Sequence, residues 1–439
     1  MIFLGAGASV PLGIPAMKGF VQAFEIEVKK NEELEPLYKN IETSIEESEE
    51  LIDTRVTFDL ESLMAVLEDI SGVIEKRTVS LPTLAFVLHQ FRNGKLEEPT
   101  INAARQFFGG NAKKMLRRLR LTIFNVCMNP IAKGERDGHY AGFVKYFEPI
   151  FTLLGIGSIS SAQNRWIFTT NWDLCSKTWL DYINETFDDG SIQDPQNRLV
   201  LDPLRGWSSP GAPKETFRIV PLHGSLDLVR TKRLMVGGHY EDIVKLPGPH
   251  THAYFKGKPG NMEKIFIIYP LEAVGYEHSV RSPYREMLNH LQEILMNDYL
   301  IFVIGFSFRD PTIASIFEEV LRERVRRKDW HPLGSSWEER AERAKDMHFK
   351  LFLLDSNPDG VMSNLEKQGF VNIQNACIPI EVKFPDVYSN SFREQFSDVL
   401  IKVGNKLVEA GIIRPHDLEA ISRSLNEDYQ LNMPTVEEV

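Results

Sequence analysis

The sequence predicts an α/β fold: a Rossmann-like, mainly parallel sheet with helices on both faces and a large inserted helical subdomain. Three observations predict it. Short apolar runs recur along the chain and end in Gly, Ser, Thr, His, Asn or Asp; helical segments separate several of them; and roughly a hundred residues of helical spacing stand between the first run and the second. Alternating strand and helix implies right-handed crossovers and a parallel sheet. Open sheets of this kind bind ligands at the carboxyl ends of their strands, where the polar residues here gather.

In chain order, Met1–Leu4 reads as a buried strand, followed at once by GAGAS and by Gly13-Ile14-Pro15. Residues 17 to 52 are rich in Glu and Lys, and 42–52 reads as a solvated acidic helix or loop. From Phe58 the apolar residues fall at helical spacing, with Asp59 as N-cap. Residues 80 to 155 read as further helices. Strand signals then return at 165–171, 217–225, 264–270, 298–307 and 348–355. The intervening helices read as DLCSKTWLDYINETF, SPYREMLNHLQEILMN, PTIASIFEEVLRERVRRK and GVMSNLEKQG. The expected division is one sheet domain from 1–16 and 156–385, a helical insertion at 17–155 and a C-terminal helical extension at 386–439. Two Pro/Gly loops, 203–215 and 246–260, are placed to cover a site.

The bulk properties narrow the function classes. The chain has 439 residues, 43% of them hydrophobic and 25% charged, as in ordinary globular proteins. A net charge of −11 argues against a surface devoted to nucleic acid. No apolar stretch approaches the roughly 18 residues of a spanning helix, and the start lacks the pattern of a secretory signal. The expectation is a cytoplasmic protein without a membrane partner. Cys127, Cys175 and Cys377 form no CxxC pair and read as packed thiols. His250 and His252, with His239 upstream, read as loop histidines without an acidic partner rather than a metal site. The basic runs 113–120 and 322–328 read as solvated helix faces, with nucleic acid contacted only through a larger complex.

Five motifs sit where chemistry would be done. Gly5 permits a tight turn out of the first strand, and Gly7 lets backbone N–H groups approach a pyrophosphate; the alternative is a strand exit that packs tightly. Val10 stands where a third glycine of GxGxxG would be. TTNWD places Thr170, Asn171 and Asp173 at a strand end, where Asp173 either faces a ligand or caps the next helix. PLHGS offers His223, suited to general base work near neutral pH or to a structural role. In GFSFRDP, Gly305 and Ser307 suit ribose or phosphate, and Asp310-Pro311 reads as a helix cap. LLDSN supplies Asp355 and Asn357, able to hold ribose hydroxyls or simply to form a turn.

The order of these motifs resembles the sirtuin fold family, and within it the sirtuin-like domains of bacterial anti-phage defence systems. The resemblance runs through residues 1 to 385, with 20 to 160 matching only as helical filler. It implies that NAD+ is bound and used as substrate. Gly5, Ala6, Gly7 and Ser9 then resemble the loop at the NAD phosphates, Asn171 and Asp173 the residues facing the nicotinamide ribose with Thr170 beside them, and His223 the general base. Gly305 and Ser307 resemble the adenosine side, and Asp355 or Asn357 would meet the adenine ribose. Two departures follow. Ala16-Met17-Lys18 replaces the Asp-Phe-Arg that follows GIP in sirtuins, and three scattered cysteines cannot build their zinc module, so no zinc is expected. Both departures tell against protein deacylation and leave NAD+ cleavage intact. The expectation is an NAD+ glycohydrolase releasing nicotinamide and ADP-ribose; the alternative is a module that senses NAD or ADP-ribose without turnover. The resemblance further implies a homo-oligomer, in ring form, paired with a separate HerA-type ATPase.

Overall fold

The computed structural model describes residues 1–72, 79–137, 165–182, 187–207, 217–235, 238–246, 264–267, 282–298, 300–329, 350–367 and 377–382, with a few isolated positions besides. Most of the 203–215 loop, His250 and His252, and the tail after Asn432 lie outside them.

Seven strands form one parallel sheet: β1 (Ile2–Leu4), β2 (Arg165–Thr169), β3 (Phe187–Asp188), β6 (Phe217–Pro221), β10 (Leu300–Ile304), β11 (Lys350–Asp355) and β12 (Cys377–Glu381). Their spatial order is β12-β11-β10-β1-β2-β6-β3, so the first strand lies at the centre. The predicted α/β architecture is the one observed. The strands are too short to be amphipathic on one side alone, and residues alternate between two cores. Ile2, Leu4, Ile167, Ile219, Phe302, Ile304, Phe352 and Leu354 point to one face. Phe3, Trp166, Phe168, Val220, Ile301, Val303, Leu351 and Leu353 point to the other. Burial on both faces is what a parallel sheet requires, and it explains the continuous apolar runs.

The helices divide between those faces. α1 (Met17–Lys29), α2 (Glu35–Glu46), α3 (Ser48–Ile52), α4 (Leu60–Ser71), α5 (Leu81–Arg92) and α6 (Ile101–Asp137) lie in sequence between β1 and β2. The core they form is continuous with the first sheet face. α1 contributes Phe20, Phe24 and Val28, a stripe at i, i+4, i+8. α4 is buried along nearly its whole length and begins with the expected cap: Asp59 Oδ1 accepts from Ser62 N (2.8 Å), and Asp59 N donates to Ser62 Oγ (2.9 Å). α7 (Cys175–Tyr182) joins the same face. α8 (Tyr284–Asn297), α9 (Pro311–Asp329) and α10 (Pro358–Lys367) cover the other. No helix among the described residues is long and apolar enough to cross a membrane.

A second sheet, antiparallel and in the order β4-β5-β8-β7-β9, stands beside the first: β4 (Ser191–Gln193), β5 (Leu199–Leu201), β7 (Gly224–Met235), β8 (Gly238–Lys245) and β9 (Ile265–Ile267). Within the run 264–270, read as one more strand of the parallel sheet, Ile265–Ile267 belongs here and pairs antiparallel with β7. A three-residue apolar run has no feature that encodes strand direction. The β7–β8 hairpin went unread because His223-Gly224 was taken as the end of its strand. Lys177 fastens this sheet to α7. Its ammonium lies 2.7 Å from Asp227 Oδ2 and 3.2 Å from Asp189 Oδ2, and Lys245 reaches Asp189 at 2.6 Å. Burial alone would push Asp189 up, but the two lysines hold its carboxyl far below the usual range.

The run 113–120 is not a wholly solvated face. Met115, Leu116 and Leu119 are buried, and Arg120 is buried against Glu68 at 2.8 Å. In the second basic run, Arg324 donates to the carbonyls of Leu295 and Asp298 at the end of α8.

Candidate active site

The strand register lines up the functional motifs. Leu4 pairs with Ile304 on one side and Thr169 on the other, and Thr169 pairs with Pro221. The residues that follow these four positions therefore emerge side by side at the carboxyl edge of the sheet. They are the glycine loop, TTNWD, LHG and GFSFRDP, brought together from across 300 residues of chain by pairing alone.

The glycines meet one another first. A Cβ on Gly5 would lie 2.4 Å from Gly305 O, one on Gly7 2.8 Å from Gly305 Cα, and one on Gly305 2.4 Å from Ala8 N. Gly305 also has φ 62°, in the left-handed region that favours glycine. Gly5 N donates to Ile304 O (2.9 Å) and Gly7 N to Gly305 O (3.0 Å), so both amides are used inside the fold. The close approach that demands these glycines is between the two loops. Residues 6–12 then form a 3₁₀ turn that presents Ala6 and Ser9 to the site.

Ser9 joins the motifs. Asn171 Nδ2 donates to Gly5 O and to Ser9 Oγ, each at 2.9 Å, and Ser9 Oγ donates to Asp173 Oδ2 at 2.8 Å. Asp173 Oδ1 accepts from Cys175 N (2.9 Å) ahead of α7. Asp173 is thus both a cap and a member of the cluster. Because both amide hydrogens of Asn171 are committed to the loop, its carbonyl oxygen is the end left to act on a ligand.

His223 is 3% exposed, and its Nε2 lies 2.7 Å from Asp310 Oδ2. Asp310 Oδ1 accepts from Thr312 N (2.8 Å) and Ile313 N (3.0 Å), capping α9 as its sequence signal implies. A carboxylate held by two amides selects the imidazole tautomer with its proton on Nε2, leaving Nδ1 as proton acceptor. Sequence reading missed this second role of Asp310. The cap signal accounts for one oxygen, while the partner of the other lies 87 residues away. Phe308, just before Arg309-Asp310, has φ 55°, a strained value for a non-glycine residue, and is locked by ring contacts to Phe306 (4.9 Å) and Phe317 (5.2 Å).

These groups border a cavity of about 530 Å³, within the usual range of roughly 300–1,000 Å³ for small-molecule sites. Ala6, Ser9, Thr170, Asn171, Asp173, His223, Gly305 and Ser307 all line it. The opposite wall comes from the inserted helices: Lys18 and Gln22 of α1, Tyr38 and Glu42 of α2, and Phe58, Asp59 and Glu61 at the start of α4. Asp355 and Asn357 are not brought to it. Asp355 Oδ1 accepts from Asn357 N (2.9 Å), and Asn357 Oδ1 accepts from Gly360 N (3.1 Å), a turn and cap at the start of α10. Among the described residues no group of His, Cys, Asp and Glu is arranged to hold a metal. The three cysteines are buried free thiols, and burial pushes each of them up.

Glu61 carries a large anomaly in the cavity. Burial, reinforced by the charges of Asp59 and Asp310 and opposed by Arg309, raises its carboxyl from an ordinary 4.5 to about 8. A raised acid favours the fold while it is protonated. That contribution is complete below pH 4.5 and is lost as pH rises through about 8. Glu61→Gln, a permanent mimic of the neutral form, is therefore expected to match wild type in thermal unfolding at acid pH. Above pH 8 it should be more stable by on the order of 1–3 kcal/mol. Parallel pH profiles for the two proteins would show that Glu61 does not titrate in this way.

Residues 165–352 match the family profile of the SIR2-like domain. SIR2-like domains make up a family of NAD-dependent enzymes. The SIR2-like match begins with β2 and ends within β11, so it includes Thr170, Asn171, Asp173, His223, Gly305, Ser307 and Asp310. The glycine loop with Ser9, the helical wall and Asp355 lie outside it, yet Ser9 is hydrogen-bonded to Asn171 and Asp173 within it. No curated protein matches the chain.

Proposed function

We propose that this protein is an NAD+ glycohydrolase, cleaving the bond between nicotinamide and ribose to leave ADP-ribose. The observation that carries this reading is the meeting, on one cavity of a SIR2-like domain, of a fixed Asn171 carbonyl and a His223 whose tautomer is set by Asp310. The cavity size and its polar groups at the sheet edge suit a dinucleotide. NAD+ supplies a good leaving group, since nicotinamide departs as a neutral base, and little acid catalysis is needed.

The work left to the protein is orientation, charge and proton acceptance. Asn171 Oδ1 accepts from a ribose hydroxyl or an attacking water and fixes its position. His223 Nδ1 takes the proton that this hydroxyl or water gives up, a role contributing about 10²–10⁴-fold. Asp310 behind the ring holds the imidazole in place while it takes the proton. Asp173, acting through Ser9, holds Asn171 in place and adds negative charge near the developing positive centre. The helical wall excludes bulk water. The test is direct: incubated with NAD+, the purified protein or its native assembly should release nicotinamide and ADP-ribose in equal amounts. Binding of NAD+ without nicotinamide release would favour a sensing module instead.

The resemblance supports a cellular setting for this chemistry. Depletion of NAD in anti-phage defence, by a homo-oligomeric ring docked on a separate HerA-type ATPase, is the setting we propose.

A further inference from the structure

Among the described residues, six carboxylates and two permanent cations, Lys18 and Arg309, line the cavity. Most of the carboxylates are occupied. Asp173 holds Ser9, Asp310 holds His223, Asp59 caps α4, and Glu25 pairs with Lys29 at 2.6 Å. Glu42 and Glu61 have no ion pair within 4 Å among the described residues, and they stand on different helices of the same wall. On the same wall, Tyr38 is 3% exposed and lines the cavity, and its hydroxyl has no hydrogen-bond partner among the described residues. Its ring packs edge-on against Phe58 at 5.8 Å, so the wall combines aromatic surface with unpaired acid.

We propose that Tyr38, Glu42 and Glu61 form the subsite for a flat, permanently cationic nitrogen ring, the pyridinium end of NAD+. The inference rests on the reading of the cavity as an NAD+ site and assigns the orientation of the dinucleotide within it. Half-buried carboxyl groups without an ion pair, facing a cavity, are satisfied by a ligand that brings positive charge. An aromatic wall favours a cation whose charge is spread over a ring. An unpartnered phenolic hydroxyl offers a hydrogen bond to a carboxamide.

The electrostatics give the subsite a signature. Glu42 is pushed up by burial and by Glu46 and Glu25, against Lys29 and Lys39; Glu61 is raised by burial and by Asp59 and Asp310, against Arg309. A cation seated beside Glu61, whose carboxyl is raised to about 8, draws its proton off. NAD+ should therefore bind with release of protons at neutral pH. NADH, whose ring is neutral, and ADP-ribose, which lacks the ring, should not.

Calorimetry tests this on the full chain carrying His223→Ala, which suppresses turnover, in two buffers of different ionisation enthalpy at about pH 7.5. Expected are proton release with NAD+ alone, and loss of about tenfold in NAD+ affinity in Glu61→Gln and in Glu42→Gln, the worth of about one pKa unit. Tyr38→Phe, nearly isosteric, should weaken NAD+ in the same direction. ADP-ribose should bind all variants as it binds the parent, which also shows that they are folded. NAD+ binding that is unchanged, or NAD+ and ADP-ribose weakened equally, overturns the assignment. If the parent binds neither ligand, the NAD+ reading itself falls.

Discussion

Replacing His223 by alanine is expected to lower NAD+ hydrolysis by about 10²–10⁴-fold, the range for removal of a positioned general base. The side chain is 3% exposed and bordered by the cavity, and it cannot be replaced by bulk water acting as base in a walled site. Its loss takes one partner from Asp310, but that carboxylate keeps two amide donors from α9, so the fold should survive. Two measurements together check the prediction: the rate of nicotinamide release, and retained affinity for ADP-ribose. A variant that binds ADP-ribose and still hydrolyses NAD+ at the wild-type rate would remove His223 from the mechanism.

The Asp310→Asn variant is expected to lose about 10²-fold or more in rate with little change in stability. The amide oxygen can still accept from Thr312 N and Ile313 N, so the cap on α9 persists. Those two donors fix which way the amide points, and they turn its NH₂ group toward His223 Nε2. The ring must then accept at Nε2 and carry its proton on Nδ1, which removes the base from the side facing the reaction. Asp310→Ala should lose the same activity and also about 0.5–2 kcal/mol from the missing cap. Because both residues act as one unit, His223→Ala combined with Asp310→Asn should be no slower than His223→Ala alone. Additive losses would mean that Asp310 works on the substrate by some path other than the imidazole.

The reading of this chain from sequence succeeded where a local pattern has one physical outcome. Apolar runs of about five residues with polar ends read as strands buried on both faces, and their alternation with helices implied a parallel sheet. Asp59 followed by Ser62 forms the cap its position announces. The polar ends of those strands named Ser9, Thr170, Asn171, Asp173, His223, Gly305 and Ser307, which line one cavity, and also Asp355 and Asn357, which do not.

Tertiary structure decided everything that depends on what lies opposite. Strand direction is invisible in three apolar residues, so β9 was placed in the wrong sheet, and the β7–β8 hairpin was folded into the end of its neighbour. Gly5, Gly7 and Gly305 look like three separate allowances for a ligand, but the first contact each makes is with another glycine loop. Asp310 reads as a cap because one of its oxygens is local; the oxygen that meets His223 is not. Tyr38, Glu42 and Glu61 carried no signal at all, since a half-buried acid on an amphipathic helix looks like any solvated one. What distinguishes them is the sheet edge that the helices were packed against. Composition and periodicity report how a residue relates to its neighbours in the chain, and these are enough to build strands and helices. The charge that surrounds a carboxyl, and the lone pair left on an imidazole, are set by residues tens to hundreds of positions away, and only the folded chain puts them in contact.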